Sequence, residues 1–254
     1  MQILLANAKL MHSQCRLWDR CVMTAPRFQQ AADALAAEMA LLDIDALSEQ
    51  LGCSRKLAAE NWMRYQHFFS AGKMPALLAY NGQAYKHLKA ATLSPSDWDF
   101  AQEHLWITCF LYGLLRPLDA VVPYRMEHTV RLPSCGGRPL SAFWKDRLTD
   151  LLIASVKADD GVLLHLSTEE YEHLFDWQRV RREVRVVQPL FYVRNDGRMR
   201  VQAVWAKTCR GAMARFFIDR RLTSVGDLAA FEYEGFAYAP HLGEPDYPHF
   251  VKDL

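Results

Sequence analysis

FLYGLLRPLDAVVPYR, residues 110–125, is the stretch on which the reading of this chain turns. It opens apolar and then meets three turn residues, Gly113, Pro117 and Pro123. Tyr112, Arg116, Asp119, Tyr124 and Arg125 are left in a segment too apolar to stand free in solvent. Cations fixed by rigid turns point to an anion site rather than a solvated face, with Asp119 and Glu127 as the competing structural partners of Arg116 and Arg125. WAKTCRGAMARF, from Trp205, reads as its counterpart from far along the chain.

Working outward, Ile3–Ala6 is a continuous apolar run, as expected of a strand buried on both faces. Residues 12–27 read as irregular, and Phe28–Leu42 as a helix. Ala46–Leu51 and a second helix to about Phe69 flank a Leu51-Gly52-Cys53 turn, with Ser54 as N-cap. Two helices joined by a glycine turn have the outline of a helix-hairpin-helix, whose amides and second helix N-terminus hold DNA phosphate. Gly52, Ser54, Arg55 and Lys56 are its contact candidates, set against the many purely structural helix pairs with a glycine turn.

Ser94-Pro95-Ser96-Asp97 opens a helix running from Trp98 to about Leu111, and Ser141–Val156 forms another. Val162–Leu166 is a second buried strand, and Ser167 with Glu170 has capping-box spacing for a helix after it. Val184–Val193 and Met199–Ala206 flank an Asn195-Asp196-Gly197 hairpin turn. A helix then runs from Lys207-Thr208 to about Leu222, ahead of a Pro- and His-rich tail.

Composition sets bounds. The 254 residues are 51% apolar and 23% charged, enough for a sizeable core. No apolar run reaches membrane-spanning length. MQILLANAKLM lacks the charged start of a signal peptide and reads as a strand, which makes a reduced cytoplasmic protein the expectation. Six Cys form no C-x-x-C pair, and the nine His show no metal spacing, so neither a metal nor a cofactor is expected. Formal charge is only +1, but residues 179–221 hold twelve Arg or Lys against Glu183, Asp196 and Asp219. That excess can set up a local positive field, or be a solvated surface.

Polar clusters follow three strands: Lys9, Ser167–Tyr171 and Lys207–Gly211. Ligands favour the carboxyl ends of strands in sheets covered by helices. Lys207 and Arg210 at a helix start would oppose the macrodipole unless an anion lies between them, and Gly211 leaves room for its approach. Ion pairing with Glu169 or Glu170 is the rival. His165, inside an apolar strand, reads as a core residue.

These segments resemble the YaaA peroxide-stress proteins. The likeness is carried by LYGLLRPLDAVVPYR (111–125), WDFAQEHL (98–105), SAFWKDRL (141–148), HLSTEEY (165–171) and WAKTCRGAMARFFIDRRL (205–222). Two motifs depart from the family pattern. S-P-A-K reads Ala6-Asn7-Ala8-Lys9, and A-K-K-A-R-G reads Ala206-Lys207-Thr208-Cys209-Arg210-Gly211. The resemblance implies an α+β fold, a single domain with a mixed sheet flanked by helices and a positively charged cleft. It also implies a helix-hairpin-helix arm at Asp45–Phe69, DNA binding, and protection from iron-dependent oxidative damage. DNA or another anion is then expected at Lys9, Arg116, Tyr124, Arg125, Ser167, Lys207, Arg210 and Gly211, with Arg116, Arg125, Lys207 and Arg210 converging on one cleft. The alternative is an enzyme for a small phosphate-bearing anion, with Glu170, Tyr171 and Lys207 as its catalytic candidates.

Overall fold

A computed structural model describes residues 1–15 and 22–254; Cys21 and part of the segment read as irregular lie outside them. The first half runs β1 (Gln2–Ala6), α1 (Gln29–Ala40), α2 (Ile44–Leu51), α3 (Arg55–Gln66), β2 (Met74–Pro75), α4 (Ala76–Ala79), α5 (Gln83–Leu88), α6 (Pro95–His104), β3 (Leu105–Cys109), β4 (Gly113–Leu115) and β5 (Ala120–Val121). The second runs α7 (Leu140–Ala158), β6 (Val162–Leu166), α8 (Glu169–Glu172), α9 (Trp177–Glu183), β7 (Arg185–Val187), β8 (Leu190–Asn195), β9 (Arg198–Arg200), α10 (Ala203–Arg220), β10 (Glu232–Tyr233), β11 (Phe236–Glu244) and β12 (Tyr247–Asp253). The class is α+β, with two mixed five-stranded sheets where one was expected.

The first sheet is ordered β4-β3-β1-β6-β7, and β1 lies parallel between β3 and β6. That explains its unbroken apolar run: Ile3, Leu4 and Leu5 have almost no exposed surface because helices cover both faces. The second sheet is ordered β10-β11-β12-β8-β9. α10 packs on α5, β8, β1 and β6, so it reaches both sheets, and their apolar residues join one core.

The opening stretch has a different local form from the one its sequence suggests. The helix expected to reach Leu111 stops at His104, and LWITC continues as β3, buried throughout. A run with no polar face fits an interior strand better than an amphipathic helix. Phe110–Tyr112 turns the chain into β4, which pairs antiparallel with β3 from Cys109↔Gly113 onward. Gly113 has φ +73, and a Cβ there would lie 2.8 Å from the Trp144 ring, so both backbone and space require glycine. Trp144 Nε1 donates to the Phe110 carbonyl at 2.7 Å and ties α7 to this turn.

Two further expectations are corrected. Val184–Val193 is not one strand: β7 belongs to the first sheet and β8 to the second, with Pro189 between them. The Pro- and His-rich tail forms β10, β11 and β12, most of the second sheet. Pro240 disguised β11, but it falls inside the register break between Tyr238 and Gly243, where no ladder donor is needed.

Candidate functional site

A cavity of about 520 Å³ opens at the carboxyl ends of β1 and β6, as expected of a sheet covered by helices. Its apolar lining includes Leu5, Ala6, Ala8, Ala84 and Leu166, and its polar groups come from four chain segments. The exit of β1 supplies Asn7 and Lys9; α5 supplies Gln83 and Tyr85; α8 and its approach supply Thr168, Glu169, Glu170 and Tyr171; α10 supplies Lys207 and Arg210. Sequence separations above 150 residues thus close on one space.

The carboxylates and the α10 cations do not neutralise each other. Among the described residues, Lys207, Arg210, Glu169 and Glu170 make no ion pair or side-chain hydrogen bond. Arg210 is half-buried, and burial pushes its guanidinium below the ordinary value with no carboxylate acting against it. The rival reading, pairing with Glu169 or Glu170, is therefore not what the structure shows. The helix-start argument is corrected too: α10 begins at Ala203, so Lys207 and Arg210 lie in its second and third turns, beyond the reach of the macrodipole. Gly211 does not make room for a ligand. A Cβ there would lie 1.9 Å from the Ala84 carbonyl oxygen, so this glycine lets α10 touch α5.

The wall opposite is held by a buried polar chain. The Tyr171 hydroxyl donates to Asn7 Oδ1, and Asn7 Nδ2 donates to the Tyr124 hydroxyl at 3.1 Å. Tyr124 shares a hydrogen bond with Tyr80 at 2.9 Å. Tyr171 also stacks on Phe110, ring centres 4.6 Å apart and nearly parallel. Burial pushes the Tyr171 phenol well up, with Glu170 acting in the same direction, so it stays protonated and serves as a donor. Ser167 is fully buried and shares a hydrogen bond with Thr108 at 3.3 Å. It neither lines the cavity nor caps α8, whose N-cap is Thr168.

Lys9 and Arg125 meet through an acid. Lys9 Nζ lies 2.8 Å from one oxygen of Glu127, and Arg125 Nη2 lies 2.8 Å from the other. Arg116 is elsewhere. Its guanidinium covers the Trp106 ring at 3.4 Å and donates to Gln2 Oε1 and the Leu105 carbonyl, at the opposite end of the sheet. Of the three arginines and one lysine expected to converge, only Lys207 and Arg210 line this cavity. Arg125 is taken up by Glu127, and the Arg116–Asp119 turn aims Arg116 toward the starts of β1 and β3. Asp119 stabilises the turn by accepting from the Arg116 amide at 2.8 Å.

The basic segment 179–221 is dispersed. Arg179 pairs with Asp150 and Glu183, Arg185 with Asp246, Arg194 with Asp253, Arg215 with Asp219 and Arg221 with Asp97. Acids remote in sequence offset much of the excess. Arg198 and Arg200 face a separate hollow beside the β8–β9 turn.

The helix pair expected at Asp45–Phe69 consists of α2, a left-handed Gly52 with φ +54, and α3 capped by Ser54 Oγ on the Leu57 amide. Gly52, Ser54, Arg55 and Lys56 are exposed. The Gly52 and Cys53 amides donate to the Glu49 and Ser48 carbonyls, which leaves the first α3 amides, Arg55 and Lys56, at the open helix end. Arg55 pairs with Asp45 at 3.0 Å, both largely exposed.

Sequence reasoning passed over Asn7 and Gln83 as site residues. Asn7 had a usable signal, a polar residue ending an apolar strand; Gln83 joins the site only through packing. The structural pairing of Arg125 with Glu127 is the one the sequence offered.

Residues 1–242 match the family described as peroxide stress protein YaaA. The chain belongs to this family. A UPF0246 protein of Bacteroides fragilis is 42% identical over 246 residues, covering 96% of this chain and 95% of its own. One from Phocaeicola vulgatus is 41% identical over 240 residues, 94% of each chain. Another, from Parabacteroides distasonis, is 40% identical over 255 residues and covers both chains fully. Asn7 holds both Tyr171 and Tyr124. Thr208 accepts from Gln83 Nε2 at 2.9 Å and joins α10 to α5.

Proposed function

We propose that this chain serves the stress-response role of its family by binding a small phosphate-bearing anion in the cavity between β1, α8 and α10. The observation that carries this reading is the half-buried Arg210, lining the cavity without a counter-ion. A half-buried guanidinium with no carboxylate partner is open to an anion, and a phosphate supplies two oxygens in the geometry its fork prefers. Lys207, one turn away and exposed, adds the second charge. The volume of about 520 Å³ lies in the range of small-molecule sites, about 300–1,000 Å³. If a reaction follows binding, Glu170 is the group free to move a proton, since the Tyr171 hydroxyl is committed to Asn7. The five described cysteines are free thiols, in keeping with action in a reducing cytoplasm.

Calorimetric titration with inorganic phosphate and pyrophosphate tests this. Wild-type binding is expected, with a loss of roughly ten- to a hundredfold in Arg210→Met, the equivalent of one charged hydrogen bond of about 1.5–3 kcal/mol. Unchanged affinity in that variant sinks the assignment.

A second reading concerns DNA. It rests on α2, Gly52 and α3, where Arg55 and Lys56 accompany the free amides of a helix start. Backbone contacts of this kind are structure-directed and carry no base code. Covering DNA this way would shield it from iron-generated oxidants. Mobility shifts at two salt concentrations test it: Arg55→Ala with Lys56→Ala should weaken binding and flatten its salt dependence. Absence of any complex at low salt ends this reading.

A further inference from the structure

The cavity has two poles held apart, and a bare anion satisfies only one. Lys207 and Arg210 stand on α10, Glu169 and Glu170 on α8, and all four line the same space. Opposite charges sharing a cavity normally close on each other, because the pairing strengthens as water leaves. Here the backbones prevent it. α10 is seated against α5 at Gly211, where no side chain fits. α8 is anchored by Tyr171, which stacks on Phe110 and donates to Asn7. Each pole therefore keeps unmet demand: the cations for an anion, the carboxylates for N–H or O–H donors. Apolar side chains from Leu5, Ala6, Ala8, Ala84, Tyr85 and Leu166 line the same cavity.

We propose that this cavity takes a nucleoside monophosphate unit. The proposal rests on the anion-site reading above and deepens it. The phosphate meets Arg210 and Lys207, the flat apolar faces of the base lie on the apolar lining, and Glu169 and Glu170 accept from sugar hydroxyls or base amino groups. Asn7 adds a reading edge. One of its Nδ2 hydrogens goes to Tyr124 and one Oδ1 lone pair to Tyr171, which leaves one donor and one acceptor on a fixed amide. An amide of that kind pairs with a base edge through two hydrogen bonds. A volume of about 520 Å³ accepts one nucleotide and excludes a duplex, whose major groove alone is about 12 Å wide. Such a unit has two sources: a free mononucleotide, or a nucleotide turned out of a DNA strand into the pocket.

The test is calorimetry on the full chain with inorganic phosphate, the four common ribonucleoside 5′-monophosphates, their nucleosides, and a duplex carrying one unpaired nucleotide. At least one mononucleotide is expected to bind tenfold or more tighter than both inorganic phosphate and its nucleoside. Glu169→Gln with Glu170→Gln should cost that nucleotide tenfold or more and leave inorganic phosphate unchanged or tighter, while Arg210→Lys weakens both. Melting temperatures of the variants separate a lost contact from a lost fold. Competition by the unpaired-nucleotide duplex for the bound mononucleotide assigns the DNA source; its failure to compete assigns the free one. If inorganic phosphate binds through Arg210 and no nucleotide improves on it, the two-pole inference fails and the anion site stands. If neither binds, both fail.

Discussion

Arg116 and Arg210 occupy opposite ends of one sheet and solve the same problem in opposite ways. Burial lowers both guanidinium pKa values, that of Arg116 to about 10. Around Arg116 the fold supplies compensation: an aromatic face, Gln2 Oε1, the Leu105 carbonyl, and the charges of Asp119 and Glu103. At this end even the chain's first ammonium is paired, with Asp159 and Asp160. Around Arg210 no such group acts. Arg116 is thus satisfied within the fold, whereas half-buried Arg210 has no carboxylate partner among the described residues, which is the observation the proposed anion site rests on.

The contrast can be broken most severely by displacing the helix that carries Arg210. Gly211→Val places atoms on the Ala84 carbonyl and should cost about 3 kcal/mol. For a chain of this size that is a melting-temperature drop of roughly 6–12 °C, read by calorimetry. A variant melting like wild type would show that α10 does not depend on its contact with α5.

Swapping the two arginines' fates sharpens the comparison. Arg116→Met removes a charged donor from the Leu105 carbonyl and from Gln2 Oε1, which keeps Ser155 Oγ, and should lose about 1.5–3 kcal/mol of stability with phosphate affinity unchanged. Arg210→Met should melt at or above the wild-type temperature while losing affinity. The reverse outcome would make Arg116 the site residue.

His165 lies between the two regimes. Its Nε2 is 2.9 Å from Glu172, its buried Nδ1 has no partner, and burial lowers its pKa below the ordinary 6.5 despite that carboxylate. The folded state therefore binds the proton less well than the unfolded chain. Stability from this group is complete above pH 6.5 and declines as pH falls through 6.5 toward the folded value. Melts of wild type and His165→Gln between pH 5 and 8 should differ in slope below 6.5 and run parallel above it.

The smallest effect belongs to the exposed helix pair. Arg55→Ala removes a surface ion pair with Asp45 and should change stability by about 0.5 kcal/mol or less.

Composition and local pattern alone determined a good part of this protein. The apolar runs at Ile3–Ala6 and Val162–Leu166 specified interior strands, Ser94-Pro95-Ser96-Asp97 specified a helix start, and Gly52 with Ser54 specified the α2–α3 turn. Each rests on interactions within a few residues, which sequence spacing records. The strand-end clusters at Lys9 and Glu170 were legible for the same reason, whereas Lys207 lies within α10 and not at a strand end. Only the tertiary structure decided the rest. It made LWITC a strand, because that run gains most in the middle of a sheet whose other strands lie far away in sequence. It sent Arg116 to one end and Arg210 to the other, since the Arg116–Asp119 turn and the Gly211–Ala84 contact fix directions no local pattern records. It also offset the basic segment with Asp97, Asp150, Asp246 and Asp253. A charge acts through distance in space rather than position in the chain, so which cations stay free is settled only when the chain has folded.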